Sequence, residues 1–128
     1  MPEPGLRATV AETVTEDLTA ERVGSGDVQV LATPVLLTVV ERAALAALQG
    51  ALEPGQTTVG ARVELEHVAP TPVGARVEAT ATLEEVDGRR LRFSFSVTDP
   101  GGEVARGVHD RVVVQRGPFL ETAESRIR

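Results

Sequence analysis

The stretch that decides the fold is TPVLLTVVERAALAALQG, which runs from Thr33 to Gly50. Thr33 is a good N-cap, and Pro34 suits the first helical position because its missing N–H is not needed there. Gly50 stands where a helix commonly ends. Almost every residue between these points is apolar, so little of the helix surface is suited to water. The stretch therefore predicts one long buried helix that other elements wrap.

Residues of alternating polarity lie on both sides of this helix and predict strands. One strand precedes the helix, from about Leu6 to Val14, and the polar segment from Thr15 to Asp27 is predicted as a loop. Four strands are expected after the helix, as an antiparallel meander. The residues expected on the apolar faces of the first three are Val59, Ala61, Val63, Leu65 and His67, then Ala75, Val77, Ala79, Ala81 and Leu83, then Leu91, Phe93, Phe95 and Val97.

One turn, the last strand and the C-terminal tail complete the predicted elements. Asp87-Gly88 is predicted as a two-residue hairpin turn, Glu103 to Gln115 as the last strand, and residues 117–128 as a flexible tail. The predicted class is α+β, with an antiparallel sheet of about five strands wrapped around one long buried helix. That arrangement is the hot-dog architecture. A sheet of this kind has an exposed edge, which favours a homodimer, or a dimer of dimers.

Composition excludes several classes of function. The chain has 128 residues, a formal net charge of -6 and no cysteine, and all 13 basic residues are arginine. One domain over residues 1–128 is expected, without disulfides, thiolate metal sites or a cysteine nucleophile. The acidic charge and only three aromatic residues argue against nucleic-acid binding. No signal-peptide pattern or bilayer-length apolar run is found, so a cytoplasmic protein without a membrane partner is expected.

Glu41 is the first candidate for chemistry. It lies in the middle of the apolar helix, where a carboxylate is expensive to bury without a compensating donor. A carboxylate held in such a place can act as a general base or as a nucleophile. The alternative is a surface pair of Glu41 with Arg42 at a dimer interface. The composition of the helix does not separate these two interpretations.

His67 is the second candidate. It takes the last inward position of its strand, beside a proline-rich turn, and functional sites gather at the ends of elements. From that position an imidazole could reach a carboxylate on the helix that the sheet wraps. The alternative is a histidine whose hydrogen bonds are satisfied in the core or at its rim.

Thr33 and Gly60 carry weaker signals. A capping role, worth about 1 kcal/mol, is enough to explain Thr33, although the free amides at a helix start can also stabilise an oxyanion. Gly60 lies inside a strand and marks a place where a ligand or another backbone can approach closely. Two histidines without cysteine make a catalytic zinc site improbable, and no phosphate loop, dinucleotide fingerprint or nucleophile elbow is present.

The spacing of Thr33, Glu41 and His67 resembles that of a known family. The motifs that flank them are Leu31-Ala32-Thr33, Gly60, Ala69-Pro70-Thr71-Pro72-Val73-Gly74, Asp87-Gly88-Arg89-Arg90-Leu91 and Gly107-Val108-His109-Asp110-Arg111. With these motifs the chain is similar, from about Val23 to Phe119, to the fluoroacetyl-CoA thioesterase-like proteins of the hot-dog thioesterase superfamily. The resemblance implies a catalytic triad of Thr33, Glu41 and His67.

The same resemblance implies a reaction, the hydrolysis of an acyl-CoA thioester to free acid and CoA. Glu41 would attack the carbonyl or activate water, while Thr33 would orient this carboxylate and His67 would handle the proton. The Gly60 N–H would stabilise the oxyanion, and Arg111 would contact the coenzyme. The partner is then the acyl-CoA itself, and no cofactor is expected beyond the CoA that forms part of the substrate.

One departure from the family concerns the acyl group. The fluoroacetate-selective member has phenylalanines before its catalytic threonine, where this chain has Gly24 and Asp27. Selectivity for fluoroacetyl is therefore doubtful, and a different small or medium acyl group is expected. A hot-dog hydratase is disfavoured because the helix lacks the Asp and His such an enzyme needs. A non-catalytic acyl-CoA-binding module remains the alternative to a thioesterase.

Overall fold

The computed structural model describes all of residues 1–128. Five strands form one antiparallel sheet, and one long helix packs on its concave face. The elements are β1 (Arg7–Thr13), α1 (Ala20–Val23), α2 (Thr33–Ala47), β2 (Gln56–His67), β3 (Arg76–Asp87), β4 (Arg90–Asp99), β5 (Gly102–Gln115) and α3 (Arg116–Ser125), with a 3-10 turn at Glu16–Leu18. No helix is long and apolar enough to cross a membrane.

The order of the strands differs from the predicted meander. The sheet runs β1-β3-β4-β5-β2, so only β3, β4 and β5 follow one another as neighbours. β2 pairs with β5 at the far side of the sheet, and the proline-containing segment between β2 and β3 carries the chain across. Alternation along one strand identifies its faces but not its neighbours, which explains why the meander was wrong. This order makes β2 an edge strand.

The predicted apolar faces of β3 and β4 are confirmed. Val77, Ala79, Ala81 and Leu83 of β3 are buried, as are the four predicted residues of β4. The connecting turn is Gly88-Arg89, one residue later than predicted, and Gly88 has φ +61°. Glycine in the first position with a positive φ is typical of a type II′ hairpin turn.

β2 departs from simple alternation at a bulge. Gly60 pairs with Arg111 and Arg62 pairs with Asp110, so Ala61 is an extra residue on this strand. After the bulge Val63, Leu65 and His67 share the inward face, as predicted. Before it, the inward residues are Thr58 and Gly60, and the prediction for Val59 and Ala61 is wrong. A bulge shifts the alternation of inward and outward side chains by one residue. The residues around Gly60 show no pattern from which this bulge could be predicted.

The helix α2 is buried on one face only. Leu36, Val39, Val40 and Ala43 are among the buried residues of this face, which packs mainly on β1 and β3. The opposite face, which is directed away from those strands, leaves Thr38, Arg42 and Leu45 exposed and Glu41 half-buried. The expectation of a helix buried all round is therefore wrong for a single chain.

Two segments predicted without structure contain helices. The loop expected from Thr15 to Asp27 includes the 3-10 turn and the short helix α1, which is capped by the Thr19 hydroxyl. The tail expected to be flexible forms α3, whose residues are all exposed. Its composition is polar, and its hydrophobic side chains, Phe119 and Leu120, project into solvent.

The outer face of the sheet carries one buried charge. The Asp110 side chain is 1% exposed and accepts hydrogen bonds from Arg92 and Arg90 of β4. The Arg92 guanidinium, together with Arg90, holds the pKa of Asp110 below its ordinary value against the opposing effect of burial. The guanidinium groups also cover this carboxylate, so the Asp110 side chain connects β5 to β4.

Candidate active site

The hydroxyl of Thr33 does not cap the helix α2. The N-cap is Ala32, whose side chain makes no capping hydrogen bond, and Thr33 is the first residue of the helix. Its Oγ1 lies 2.8 Å from Nδ1 of His67, which ends the inward face of β2. The capping interpretation of Thr33 is thus wrong, and the helix start and the strand end are joined by a polar pair.

His67 keeps one ring nitrogen without a partner. Its Nε2 is buried and makes no hydrogen bond. Buried polar atoms are normally paired, and the exceptions need an explanation such as a functional role. The interpretation of His67 as a fully satisfied core histidine is therefore wrong.

A cavity of about 360 Å³ opens beside Thr33 and His67. Its remaining walls come from the start of α1, from the segment between α1 and α2 and from the residues after β2; they include Ala20, Gly26, Val28, Leu31 and Val68. No aromatic side chain lines it. A cavity with small aliphatic walls and a polar pair at one side suits a ligand that is apolar except at one end.

Glu41 belongs to a second cluster. Its Oε2 lies 3.3 Å from Nη1 of Arg111 and 4.0 Å from Nε2 of His109, both on β5. The side chain of Glu41 is 38% exposed, whereas that of Arg111 is 6% exposed. The compensating donor expected for this carboxylate is therefore Arg111, not Arg42, whose guanidinium contacts Glu12 on β1. The surface pair of Glu41 with Arg42 is absent.

Arg111 is held from several sides inside the protein. Its Nε donates to Oγ1 of Thr58 at 2.9 Å, and its Nη2 donates to the Thr58 carbonyl at 3.1 Å. Burial lowers the pKa of the guanidinium below its ordinary value, and the charge of Glu41 acts in the opposite direction. A side chain with these contacts is directed at the Glu41 carboxylate.

Gly60 leaves the space in which the carboxylate lies. A Cβ placed on Gly60 would be 2.6 Å from Oε2 of Glu41 and 3.3 Å from Cε1 of His109. Glycine therefore allows the end of the Glu41 side chain to lie against this strand, a close approach that its place inside a strand had suggested. In the sequence His109 is only one residue of a motif on the last strand, and nothing there indicates that it contacts Glu41.

The two clusters do not meet within one chain. No hydrogen bond or ion pair joins Glu41 to Thr33 or to His67. Eight residues of α-helix separate Thr33 from Glu41 by about 12 Å along the axis. Seven residues of strand separate Gly60 from His67 by about 20 Å. The expected contact of the Thr33 hydroxyl with the Glu41 carboxylate is therefore absent.

Comparison with known proteins identifies the family. The family profile described as FlK, fluoroacetyl-CoA-specific thioesterase, matches residues 14–117. The chain belongs to this family. It is 36% identical over 91 residues to the fluoroacetyl-CoA thioesterase of Streptantibioticus cattleyicolor, an alignment that covers 71% of the chain and 66% of that relative.

Solved structures agree with this assignment. A point mutant of FlK in complex with acetyl-CoA superimposes with a TM-score of 0.93 at 28% identity, covering 99% of this chain and 100% of that one. A hot-dog-like protein from Thermanaerovibrio acidaminovorans superimposes with a TM-score of 0.88 at 28% identity, covering 98% and 93%. The predicted family and the hot-dog fold are confirmed. At the level of the family, the predicted class of enzyme, an acyl-CoA thioester hydrolase, is confirmed as well.

Proposed function

We propose that this protein hydrolyses acyl-CoA thioesters to free acid and CoA, with Thr33, Glu41 and His67 as its catalytic residues. The observation that carries the proposal is the His67 imidazole, which is bonded to Thr33 through Nδ1 while its buried Nε2 stays free beside an apolar cavity. A ring nitrogen without a partner can exchange a proton with a bound ligand. The family supports a thioester as that ligand.

In this reaction the C–S bond of the thioester breaks and a C–O bond to water forms. Glu41 either attacks the carbonyl carbon, to give an anhydride that water opens, or removes a proton from the attacking water. The thiolate of CoA leaves and takes a proton from His67, which regains one that originates in the attacking water. The Gly60 N–H stabilises the oxyanion. Acid–base assistance of this kind contributes about 10²–10⁴-fold. No cofactor is needed, because CoA enters as part of the substrate.

The functional unit is a homodimer formed through β2. This edge strand has 12 residues and no proline, and its residues from Gly60 to Glu64 are exposed. Long exposed edges are normally covered, and pairing two β2 strands covers both. The pairing also covers apolar groups on the open face of the molecule, since Val63 is 36% exposed and Leu45 is 46% exposed. A dimer of dimers would use the outer face of the sheet.

Such a dimer brings together the two clusters that one chain keeps apart. In an antiparallel pairing centred on Glu64, Arg62 lies opposite the partner's Glu66, a favourable charge pair. The same register sets the partner's His67 opposite Ala61, the extra residue of the bulge, which follows Gly60. Glu41, which lies against Gly60, then faces the imidazole of the other chain. Each site would combine Glu41 of one protomer with Thr33 and His67 of its partner.

The acyl group of the substrate is small or medium and aliphatic, and fluoroacetyl is not the preferred one. The cavity beside His67 holds about 360 Å³ and has only aliphatic and small polar walls. The segment from Gly24 to Gln29, which contributes to it, has no aromatic residue and is exposed. A cavity with these walls suits a small or medium aliphatic acyl group.

The first experiment measures hydrolysis of an acyl-CoA panel by detection of free thiol. The protein has no cysteine, so it adds no thiol background. Glu41→Gln and His67→Ala are each expected to lower kcat by about 10²-fold or more. Glu124→Gln, an exposed glutamate on α3, is the matched control and keeps full activity. Undiminished turnover by Glu41→Gln or His67→Ala would refute these roles, and saturable CoA binding without turnover would favour the binding module.

The second experiment tests the composite site by co-expression of Glu41→Gln with His67→Ala. If each site uses Glu41 of one chain and His67 of the other, a mixed dimer regains one intact site. Statistical mixing then restores about a quarter of the wild-type activity. If both residues act within one chain, every site keeps a defect and no activity returns. Sedimentation of the wild-type protein reports whether a dimer or a tetramer forms.

A further inference from the structure

Two contacts select one tautomer of the His109 ring. Its Nδ1 lies 2.9 Å from the backbone carbonyl of Arg62, which can only accept a hydrogen bond, so Nδ1 carries the proton. Its Nε2 lies 3.1 Å from Nη1 of Arg111, which can only donate, so Nε2 offers its lone pair. Both contacts require the same neutral tautomer. The His109 side chain is 3% exposed, so water does not compete for either nitrogen.

The bulge in β2 makes this arrangement available. The extra residue Ala61 interrupts the ladder between β2 and β5, next to the pair of Val63 with His109. The bulged strand thereby offers the carbonyl of Arg62 to a side chain of β5. Bulges occur beside active sites because they redirect groups in this way. Here the bulge sets the tautomer of a histidine two residues from Arg111.

Arg111 donates from one nitrogen to two acceptors. Nη1 contacts Nε2 of His109 at 3.1 Å and Oε2 of Glu41 at 3.3 Å, while Thr58 holds the other end of the guanidinium. A guanidinium is planar and rigid, so fixing these donors fixes the direction of the Nη1 hydrogen that reaches the carboxylate. Without an acceptor at His109, the second Nη1 hydrogen would be buried and unpaired, and rotation of the group would be favoured.

We propose that His109 is a positioning residue for Glu41, which it aims through Arg111 as a neutral acceptor. This inference rests on the proposed function of Glu41 as catalytic base or nucleophile. His109 does not touch the reacting atoms in this account. Its ring keeps Arg111 in the one orientation that holds the Glu41 carboxylate against Gly60.

The kinetic test compares two amides at position 109. Glutamine places its side-chain oxygen near the position of Nε2 and keeps an acceptor for Arg111, whereas asparagine is shorter and reaches only the position of Nδ1. His109→Asn is expected to lower kcat about 10–100-fold with KM changed by less than about threefold. His109→Gln is expected to stay within about threefold of the wild type. Equal activity of both variants, whether full or impaired, would overturn the acceptor role.

A second measurement reads the tautomer in the wild-type protein, and a variant is used only to assign the signals. The chain has only two histidines, so ¹⁵N labelling of histidine gives two ring systems, and the one missing in His109→Gln is His109. The expected spectrum shows a protonated Nδ1 and an unprotonated Nε2. A protonated Nε2 would overturn the proposal, because that nitrogen could not then accept from Arg111. Absence of turnover in the wild type would refute the proposed function, while the tautomer would still test this geometry.

Discussion

Replacement of Gly60 by alanine tests whether the position of the Glu41 carboxylate limits the rate. The new Cβ would lie 2.6 Å from Oε2 of Glu41, and ordinary contact begins near 3.4 Å. The carboxylate must therefore retreat by about 0.8 Å, which changes its 3.3 Å contact with Arg111. A misplacement of about 1 Å can reduce a rate by about 10²-fold. We expect Gly60→Ala to lower kcat about 10–100-fold.

The stability of Gly60→Ala should hardly change. The crowded atom is the end of a flexible side chain that is 38% exposed, so it can move without disturbing the core. Alanine also restricts the unfolded chain more than glycine, which offsets part of the strain. The free energy of unfolding is expected to change by less than about 1 kcal/mol.

The assay is acyl-CoA hydrolysis followed by free thiol, together with urea unfolding. Gly117→Ala is the matched control, because a Cβ at Gly117 meets nothing within 4 Å. This control should retain both activity and stability. Full kcat in Gly60→Ala would refute the reasoning. So would a rise in KM at unchanged kcat, which would mean that the new methyl group displaces substrate and leaves the carboxylate in place.

Three further changes test other contacts. Gly107→Ala should destabilise the protein by more than about 3 kcal/mol in urea unfolding, since its Cβ would overlap a backbone carbonyl of β2, which cannot move aside. Thr33→Val should lower kcat about tenfold or more through loss of the hydroxyl at His67, and Thr33→Ser should retain activity. Asp110→Asn should lower stability by about 1–3 kcal/mol at pH 7. The Arg92 guanidinium lowers the pKa of Asp110 from its ordinary value of 3.8. The ionised carboxylate therefore stabilises the fold fully above pH 3.8, and this stabilisation is lost as the pH falls below it. The difference in unfolding free energy between Asp110→Asn and the wild type should therefore become smaller in acid.

The two glycines at the β2–β5 pair show why sequence alone separates function from structure poorly. Gly60 and Gly107 both lie inside strands and both exclude a side chain. At Gly60 the excluded space is next to the end of a side chain, whereas at Gly107 it is next to backbone. A glycine in a strand pattern indicates a close approach but not what approaches. The neighbour is known only once the strands are paired.

Histidine 109 illustrates a different limit. The sequence shows this histidine and predicts its strand, yet its partners lie on β2, on α2 and on its own strand. The carbonyl of Arg62, which contacts Nδ1, is available only because of the bulge. A bulge is a shift in the pairing between two strands, so the sequence of one strand does not predict it. His67 was easier to find, because it ends a run of inward aliphatic residues.

The sequence by itself predicted the long helix and the five strands, and it supplied the candidate residues for the proposed chemistry. Local periodicity placed the long helix and the inward faces of β3 and β4, because the helical and extended backbones impose their own repeats on any buried face. Thr33, Glu41 and His67 were predicted as a catalytic set only through the resemblance of their spacing to that of the thioesterase family. Tertiary structure alone decided that β2 lies at the sheet edge, that one face of α2 stays open, and that Glu41 contacts Arg111 while Thr33 contacts His67. These features depend on which distant segments pair. That pairing is decided when the apolar faces of the helix and of all the strands are buried against one another.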